Sequence, residues 1–206
     1  SYTDAKGGGP LGPQWAIELA AGSGAGIEDA YLDRLEDFGY TGRDGLSDMD
    51  HLSITVVRRL ASHLDAIGVL AYLGGGGSWH RMGDVGGIFT SWSTRTIAAG
   101  LRARLPLLGG RLVPYAQLDA GLAFARSYLD NQGNGPDTNE TEETDVGYQL
   151  SAVAGLQINP WRRTFLWRIG FLAQLSLVTS PSLTNLLGDV HDVGGPFFGT
   201  GIRIAF

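Results

Sequence analysis

The sequence predicts an all-β chain: one eight-stranded antiparallel up-and-down barrel that crosses a membrane. Three observations predict it. Eight segments alternate apolar residues with polar or small ones at a period of two, the period at which side chains change faces along a strand. The connections between those segments alternate between long and short. The composition is rich in glycine and poor in charge: 32 of 206 residues are Gly, well above the usual ~7% share, and 17% are charged against the usual ~25%.

The same composition excludes other classes. There is no Gly-X-Y period and Pro numbers only 8, so the glycine is not that of collagen. With 43% apolar and 10% aromatic residues the chain is not a disordered one. Cysteine is absent, which removes disulfides and thiolate metal sites. A net charge of −6, with no basic patch outside the strand ends, argues against nucleic acid as a partner. Gly74–Gly77 is not followed by the Lys-Ser/Thr of a phosphate loop. No cofactor is expected.

Residues 1–13 are Gly/Pro-rich and read as a flexible lead-in; residues 14–206 read as a single barrel domain. The first strand is Gln14–Ala25, with Trp15, Ile17 and Leu19 on one face and Ala16, Glu18 and Ala20 on the other. Gly26–Ser47 follows as a long polar connection whose acidic core, Asp29 to Phe38, has a partly helical spacing. In the second strand, His51–Leu60, Leu52, Ile54 and Val56 oppose Ser53 and Thr55. A brief turn at Ala61–His63 leads to Leu64–Leu73, where Ile67, Val69, Ala71 and Leu73 are read as the lipid face, and Ala66, Gly68, Leu70 and Tyr72 as the lumen face. Gly74–Ser93 is read as a long connection carrying three aromatics for the membrane boundary, Trp79, Phe89 and Trp92.

The alternation is clearest from Thr94 onward. Ile97, Ala99, Leu101, Ala103 and Leu105 oppose Ala98, Gly100, Arg102 and Arg104. After a tight turn at Pro106–Gly110, the strand Leu112–Tyr128 sets Ala116, Leu118, Ala120, Leu122 and Phe124 against Tyr115, Gln117, Asp119 and Gly121. Asp130–Thr144 is a polar, acidic connection. Asp145–Asn159 sets Val146, Tyr148, Leu150 and Ala152 against Gly147, Gln149, Ser151 and Gly155. A short turn, Asn159–Arg163, opens the strand Phe165–Val178, whose inward face includes Arg168, Gly170, Gln174 and Ser176. Ile169–Gly188 is uncharged and long enough for a membrane helix, but Pro181 and its polar neighbours break it into a strand end and a loop. The eighth strand, Gly195–Phe206, places Phe198, Thr200, Ile202, Ile204 and Phe206 opposite Gly199, Gly201, Arg203 and Ala205.

That last strand, with the loop pattern, carries a family resemblance. An alternating strand ending on Phe206 resembles the closing strand of small bacterial outer-membrane β-barrel proteins, in which the terminal aromatic sits in the boundary girdle. The resemblance implies short periplasmic turns, long extracellular loops and an outer-membrane location, with a signal peptide already removed from before Ser1. It implies that Ile202, Ile204 and Phe206 form the insertion signal read by the barrel-assembly machinery. Lipid and lipopolysaccharide are then the surrounding partners, and residues 1–13 could dock another envelope protein from the periplasmic side. A soluble barrel would place Lys and Glu outside and its apolar residues inside. The second face here is instead rich in Gly, which suits the crowded interior of a narrow barrel.

The candidate functional residues are the charges on that second face: Glu18, Arg102, Arg104, Asp119, Arg168 and Arg203. An eight-stranded lumen is only wide enough for side chains to fill, so charges inside it must pair. The expectation is a salt-bridged plug in which Asp119 and Glu18 meet some of these arginines, Glu18 pairing with Arg203 on the neighbouring strand. Glycines read as inward at 68, 100, 121, 147, 155, 170, 199 and 201 keep a narrow conduit open as the alternative, or make room for Tyr72 and Tyr115. A second alternative rests on resemblance to outer-membrane lipid A hydrolases: His51 and Ser53 share a face, with Asp50 or Asp65 as the orienting acid. That pair lies on the second strand, whereas those enzymes carry theirs on a late one. The acids at 29–37 and 137–145 are solvated loop charge, or bridge divalent cations to lipopolysaccharide. His80 and His191, in separate connections, do not make a metal site.

Overall fold

The computed structural model describes residues 14–25, 48–80, 87–131, 140–160, 168–180 and 194–206. Eight strands follow in chain order: β1 Trp15–Ala25, β2 Asp48–Arg59, β3 Leu64–His80, β4 Gly87–Arg104, β5 Leu112–Asn131, β6 Glu140–Ile158, β7 Ile169–Thr179 and β8 Gly195–Ala205. Each pairs antiparallel with the next, and β8 pairs back with β1, so the sheet closes on itself. Closure leaves no bare edge, the requirement for backbone in lipid. The lead-in 1–13, the segment 26–47 and most of the last long connection lie outside the described residues, as do Phe165 and Trp167 of the expected seventh strand.

The alternation becomes an outside and an inside. The outer face carries Ile17 and Leu19 of β1, Ile54 of β2, Leu70 of β3, Ile97 and Leu101 of β4, Leu118 and Leu122 of β5, Leu150 of β6, Leu175 of β7 and Ile202 of β8. Leu118 is 69% exposed and Ile97 60%. A side chain of this size left in water forgoes ~1.5–3 kcal/mol relative to burial, and an apolar surface this continuous marks a membrane-facing belt. The fold is that of a transmembrane barrel.

Several elements depart from the sequence reading. β3 continues through the glycine run to His80 and pairs with a β4 that already begins at Gly87. β5 likewise reaches Asn131 and β6 begins at Glu140, so Glu140, Glu142 and Glu143 stand on a ladder rather than in a loop. Period-two alternation needs two differently solvated faces. Past the apolar belt both faces meet similar surroundings, so the pattern fades while the backbone ladder continues. Much of the first of these connections, and both flanks of the second, are therefore projecting hairpin.

The faces of β3 are also reversed. Asp65, Ile67, Val69 and Leu73 are buried in the lumen, while Gly68, Leu70 and Tyr72 face outward. Pairing of Val57 with Ile67, and of Ile67 with Gly100, aligns β3 with the lumen faces of β2 and β4, and that register decides between two faces that are both apolar. Trp92 is not a boundary aromatic; it points inward and is 5% exposed. The inward residues Ala16, Val57, Ile67, Val69 and Ala98 form one apolar cluster in the lumen, and Tyr115, Val153 and Leu172 form another.

A charge on the outer face near mid-membrane tests the membrane assignment. Leu118→Arg, one position from the middle of the outward run of β5, is expected to destabilise the barrel by ~2–4 kcal/mol in urea unfolding from lipid vesicles. An exposed leucine on a water-facing strand would tolerate the same change.

Candidate functional site: the charge network of the lumen

Trp15, Ile17 and Leu19 take the lipid side of β1, which turns Glu18 into the lumen. In register it stands beside Arg203 of β8 and Thr55 of β2. The Arg203 guanidinium donates to Glu18 Oε1. The second ligand of the carboxylate comes from the facing wall. Arg102 of β4 donates from Nη1 to Oε1 at 2.6 Å and from Nη2 to Oε2 at 2.6 Å, a two-pronged match of fork to carboxylate. The Glu18 and Arg102 side chains are each 3% exposed.

The network continues from Arg102. Its Nε and Nη2 donate to Gln117 Oε1 at 3.0 and 2.7 Å, and Gln117 Nε2 donates to Asp119 Oδ2 at 2.8 Å. The Arg102 guanidinium also lies 4.3 Å from the centre of the Tyr115 ring, within the range of cation–π attraction. Tyr115 donates to Gln174 Oε1 at 3.0 Å, carrying the connection to β7. Its ring occupies the space beside Gly155, where an added Cβ would fall 2.3 Å from Cζ. That glycine is room for an aromatic.

A separate pair sits nearer the short turns. Arg104 Nε donates to Asp65 Oδ1 at 3.0 Å, and its Nη2 reaches the Ala61 carbonyl at 3.4 Å. The two clusters together set three carboxylates (Glu18, Asp65, Asp119) against three guanidiniums (Arg102, Arg104, Arg203). That balance matters, because an unpaired buried ion costs several kcal/mol.

Of the six sequence candidates, Glu18, Arg102 and Arg203 are in direct contact, and Asp119 joins through Gln117. Arg104 pairs with Asp65, which the sequence reading left out of the lumen because it turned β3 the wrong way round. Arg168 makes none of these contacts among the described residues: it is exposed and precedes β7, where its carbonyl accepts the Ala205 N–H at 2.8 Å. Gln117 was missed as the bridge, and only its parity with Asp119 on β5 signalled it. Ile202, Ile204 and Phe206 are all exposed on the outer face.

His51 and Ser53 both face the lumen and are buried, turned away from lipid. The His51 ring lies 5.6 Å from that of Phe197. Asp50 is on the opposite, exposed face, and Asp65 is engaged by Arg104 far along the sheet. Neither acid is placed to orient His51 for catalysis.

Removing the shared carboxylate strands two buried guanidiniums. Glu18→Ala is expected to destabilise the folded barrel by ~3–5 kcal/mol, read as a lowered urea midpoint of heat-modifiable migration on gels. Arg104→Gln, which leaves one carboxylate rather than two guanidiniums without a partner, is expected to cost less.

No protein-family model matches this chain, and no curated protein sequence matches it. Solved structures do. The attachment invasion locus protein Ail of Yersinia pestis, crystallised with the heparin analogue sucrose octasulfate, superposes with a TM-score of 0.52 at 19% identity, covering 93% of this chain and 99% of Ail. Neisserial surface protein A superposes with a TM-score of 0.54 at 14% identity, covering 93% of this chain and 96% of that one. At such identities the likeness is one of fold. Closed order, inward charges and outward apolar belt together give this chain the fold of the small eight-stranded bacterial outer-membrane β-barrels.

Proposed function

We propose that this chain is a non-enzymatic barrel of the bacterial outer membrane, structural or active in contacts at the cell surface, with a lumen closed by paired charges. The observation that carries the reading is the Glu18 carboxylate, gripped by Arg102 from the facing wall and by Arg203 from the adjacent strand. A conduit for solutes would have to pass these side chains, and breaking such a pair is costly. With the interior occupied, contact with other molecules falls to the projecting β3–β4 and β5–β6 hairpins and the remaining connections.

The chemistry of those regions bears on the partner. Ail takes a sulfated heparin analogue, but a polyanion suits this chain poorly. Its β6 extension carries Glu140, Glu142, Glu143 and Asp145, and Asp29, Asp33, Glu36 and Asp37 cluster in sequence in another connection. Cationic partners, or lipopolysaccharide bridged through divalent cations, fit better. Assembly into the membrane would use the Ile202, Ile204 and Phe206 face of β8, and residues 1–13 would serve as a periplasmic docking segment.

Conductance measures the central claim. The purified barrel in planar bilayers is expected to be silent; discrete conductance steps from the wild-type protein would overturn the closed lumen and favour the solute channel. For the absence of catalysis, no acyl release from lipopolysaccharide is expected, and release abolished by Ser53→Ala would reinstate the hydrolase.

A further inference from the structure

The outward face has one region where the apolar belt gives way to charge in an ordered manner. Register across β3, β4, β5 and β6 aligns Leu70, Ile97, Leu122 and Tyr148 in one row. The next row toward the long connections holds Tyr72, Arg95, Phe124 and Val146, and the one after it Gly74, Ser93, Arg126 and Thr144. Two arginines thus appear in successive rows directly above the last wholly uncharged one. On a lipid face an arginine costs ~2–4 kcal/mol at the midplane and ~0–1 near the interface, so their position marks the polar boundary of that leaflet.

Arg126 lines a cavity of about 330 Å³ together with Tyr72, Gly75, Ser91, Trp92, Ser93 and Tyr128, most of them outward-facing. Arg95 lies outside that lining, one row nearer the apolar belt, paired beside Tyr72. Tyr72 folds along its own strand over Gly74, where a Cβ would fall 2.4 Å from the phenol oxygen. The tyrosine thus lies along the cleft, and Ser91 and Ser93 line it as well. Arg126 donates from Nη2 to Glu142 at 2.7 Å, with both side chains about half exposed, a pairing that solvent screens and that leaves the rest of the fork available. Arg95 is exposed and makes no ion pair among the described residues.

We propose that this cleft binds the phosphorylated headgroup of a membrane lipid from the leaflet on the long-connection side. Arg126 in the cleft and Arg95 beside it, paired with Tyr72, present planar forks suited to phosphate oxygens. Ser91 and Ser93 supply hydroxyl donors, and Tyr72 and Tyr128 flank the headgroup. A lipid is favoured over a soluble anion because the next outward row beyond Tyr72, Arg95 and Phe124 is the exposed apolar row of Leu70, Ile97 and Leu122, along which acyl chains would continue. The inference rests on the barrel lying in a membrane, not on the closed lumen or on a role in surface contacts.

The test uses the full chain refolded into phosphatidylcholine nanodiscs with or without lipid A, released into detergent and weighed by native mass spectrometry. Wild-type protein is expected to retain lipid A in preference to phosphatidylcholine. The double variant Arg95→Gln/Arg126→Gln should lose about tenfold or more of that retention, as expected for removal of charge-assisted hydrogen bonds. Arg58→Gln, which removes an exposed guanidinium at the opposite rim, should not. Heat-modifiable migration reports whether each variant is folded. Equal retention by the folded double variant would overturn the site. Retention of dephosphorylated lipid A as strong as that of lipid A would do the same without relying on any variant. Displacement of lipid A by millimolar inorganic phosphate alone would reassign the cleft to a soluble anion.

Discussion

Glu18 ties together the two parts of the barrel that must agree for it to close: the seam and the wall opposite. The seam is the pairing of β1 with β8, which brings Arg203 beside Glu18 at a fixed register. The opposite wall is β4, from which Arg102 reaches across the lumen to the same carboxylate. A register slip of one residue at the seam would turn Arg203 into lipid and leave Glu18 with half its partners. The ion pair therefore adds specificity to closure beyond what the backbone ladder supplies, since the ladder alone tolerates several registers.

The surroundings of the network explain why it can be so short in reach and so complete. The cluster of Ala16, Val57, Ile67, Val69 and Ala98 covers one side of the lumen, and Tyr115, Val153 and Leu172 cover another. Apolar neighbours exclude water, which strengthens each hydrogen bond inside and raises the penalty for any left unmade. Gln117 answers that penalty: it accepts from Arg102 and donates to Asp119, joining a cation to an acid that is two residues away on its own strand. Gly155 contributes by absence, leaving the volume that lets the Tyr115 ring stack on Arg102.

Legibility in the sequence followed the contrast between lipid and lumen. Where one face meets hydrocarbon and the other holds Gly, Gln and charge, as in β5 and β6, faces and parity could be read without a structure. In β3 both faces are apolar, Ile67 and Val69 against Leu70 and Tyr72, so composition could not choose; the register with β2 and β4 did. The error propagated, because turning β3 over removed Asp65 from the lumen and left Arg104 without its partner. The glycine run at 74–77 failed for another reason. Gly reads as a connection, yet here its backbone pairs with Thr90–Ser93 like any other strand. The Glu18–Arg203 contact was legible because it needs only parity and neighbouring strands. The Arg102 contact was not, because nothing local in sequence says which side chains meet across a lumen.

The two rims of the barrel use guanidinium groups differently, and the difference bears on where function resides. At the short-turn rim Arg58 lies 5.3 Å over the Trp15 ring, on the strand paired beside it, so its outward charge is met within the protein. At the other rim Arg95 has no such partner among the described residues, and Arg126 shares a half-exposed carboxylate beside an open cleft. Inside, three acids answer three bases and no cation is left over among the six. A fold that pairs these six charges within, and meets Arg58 at one rim, leaves Arg95 and Arg126 to the outer surface at the other. There a phosphorylated lipid supplies what the protein omits: an anion at the level of the arginines and hydrocarbon below it.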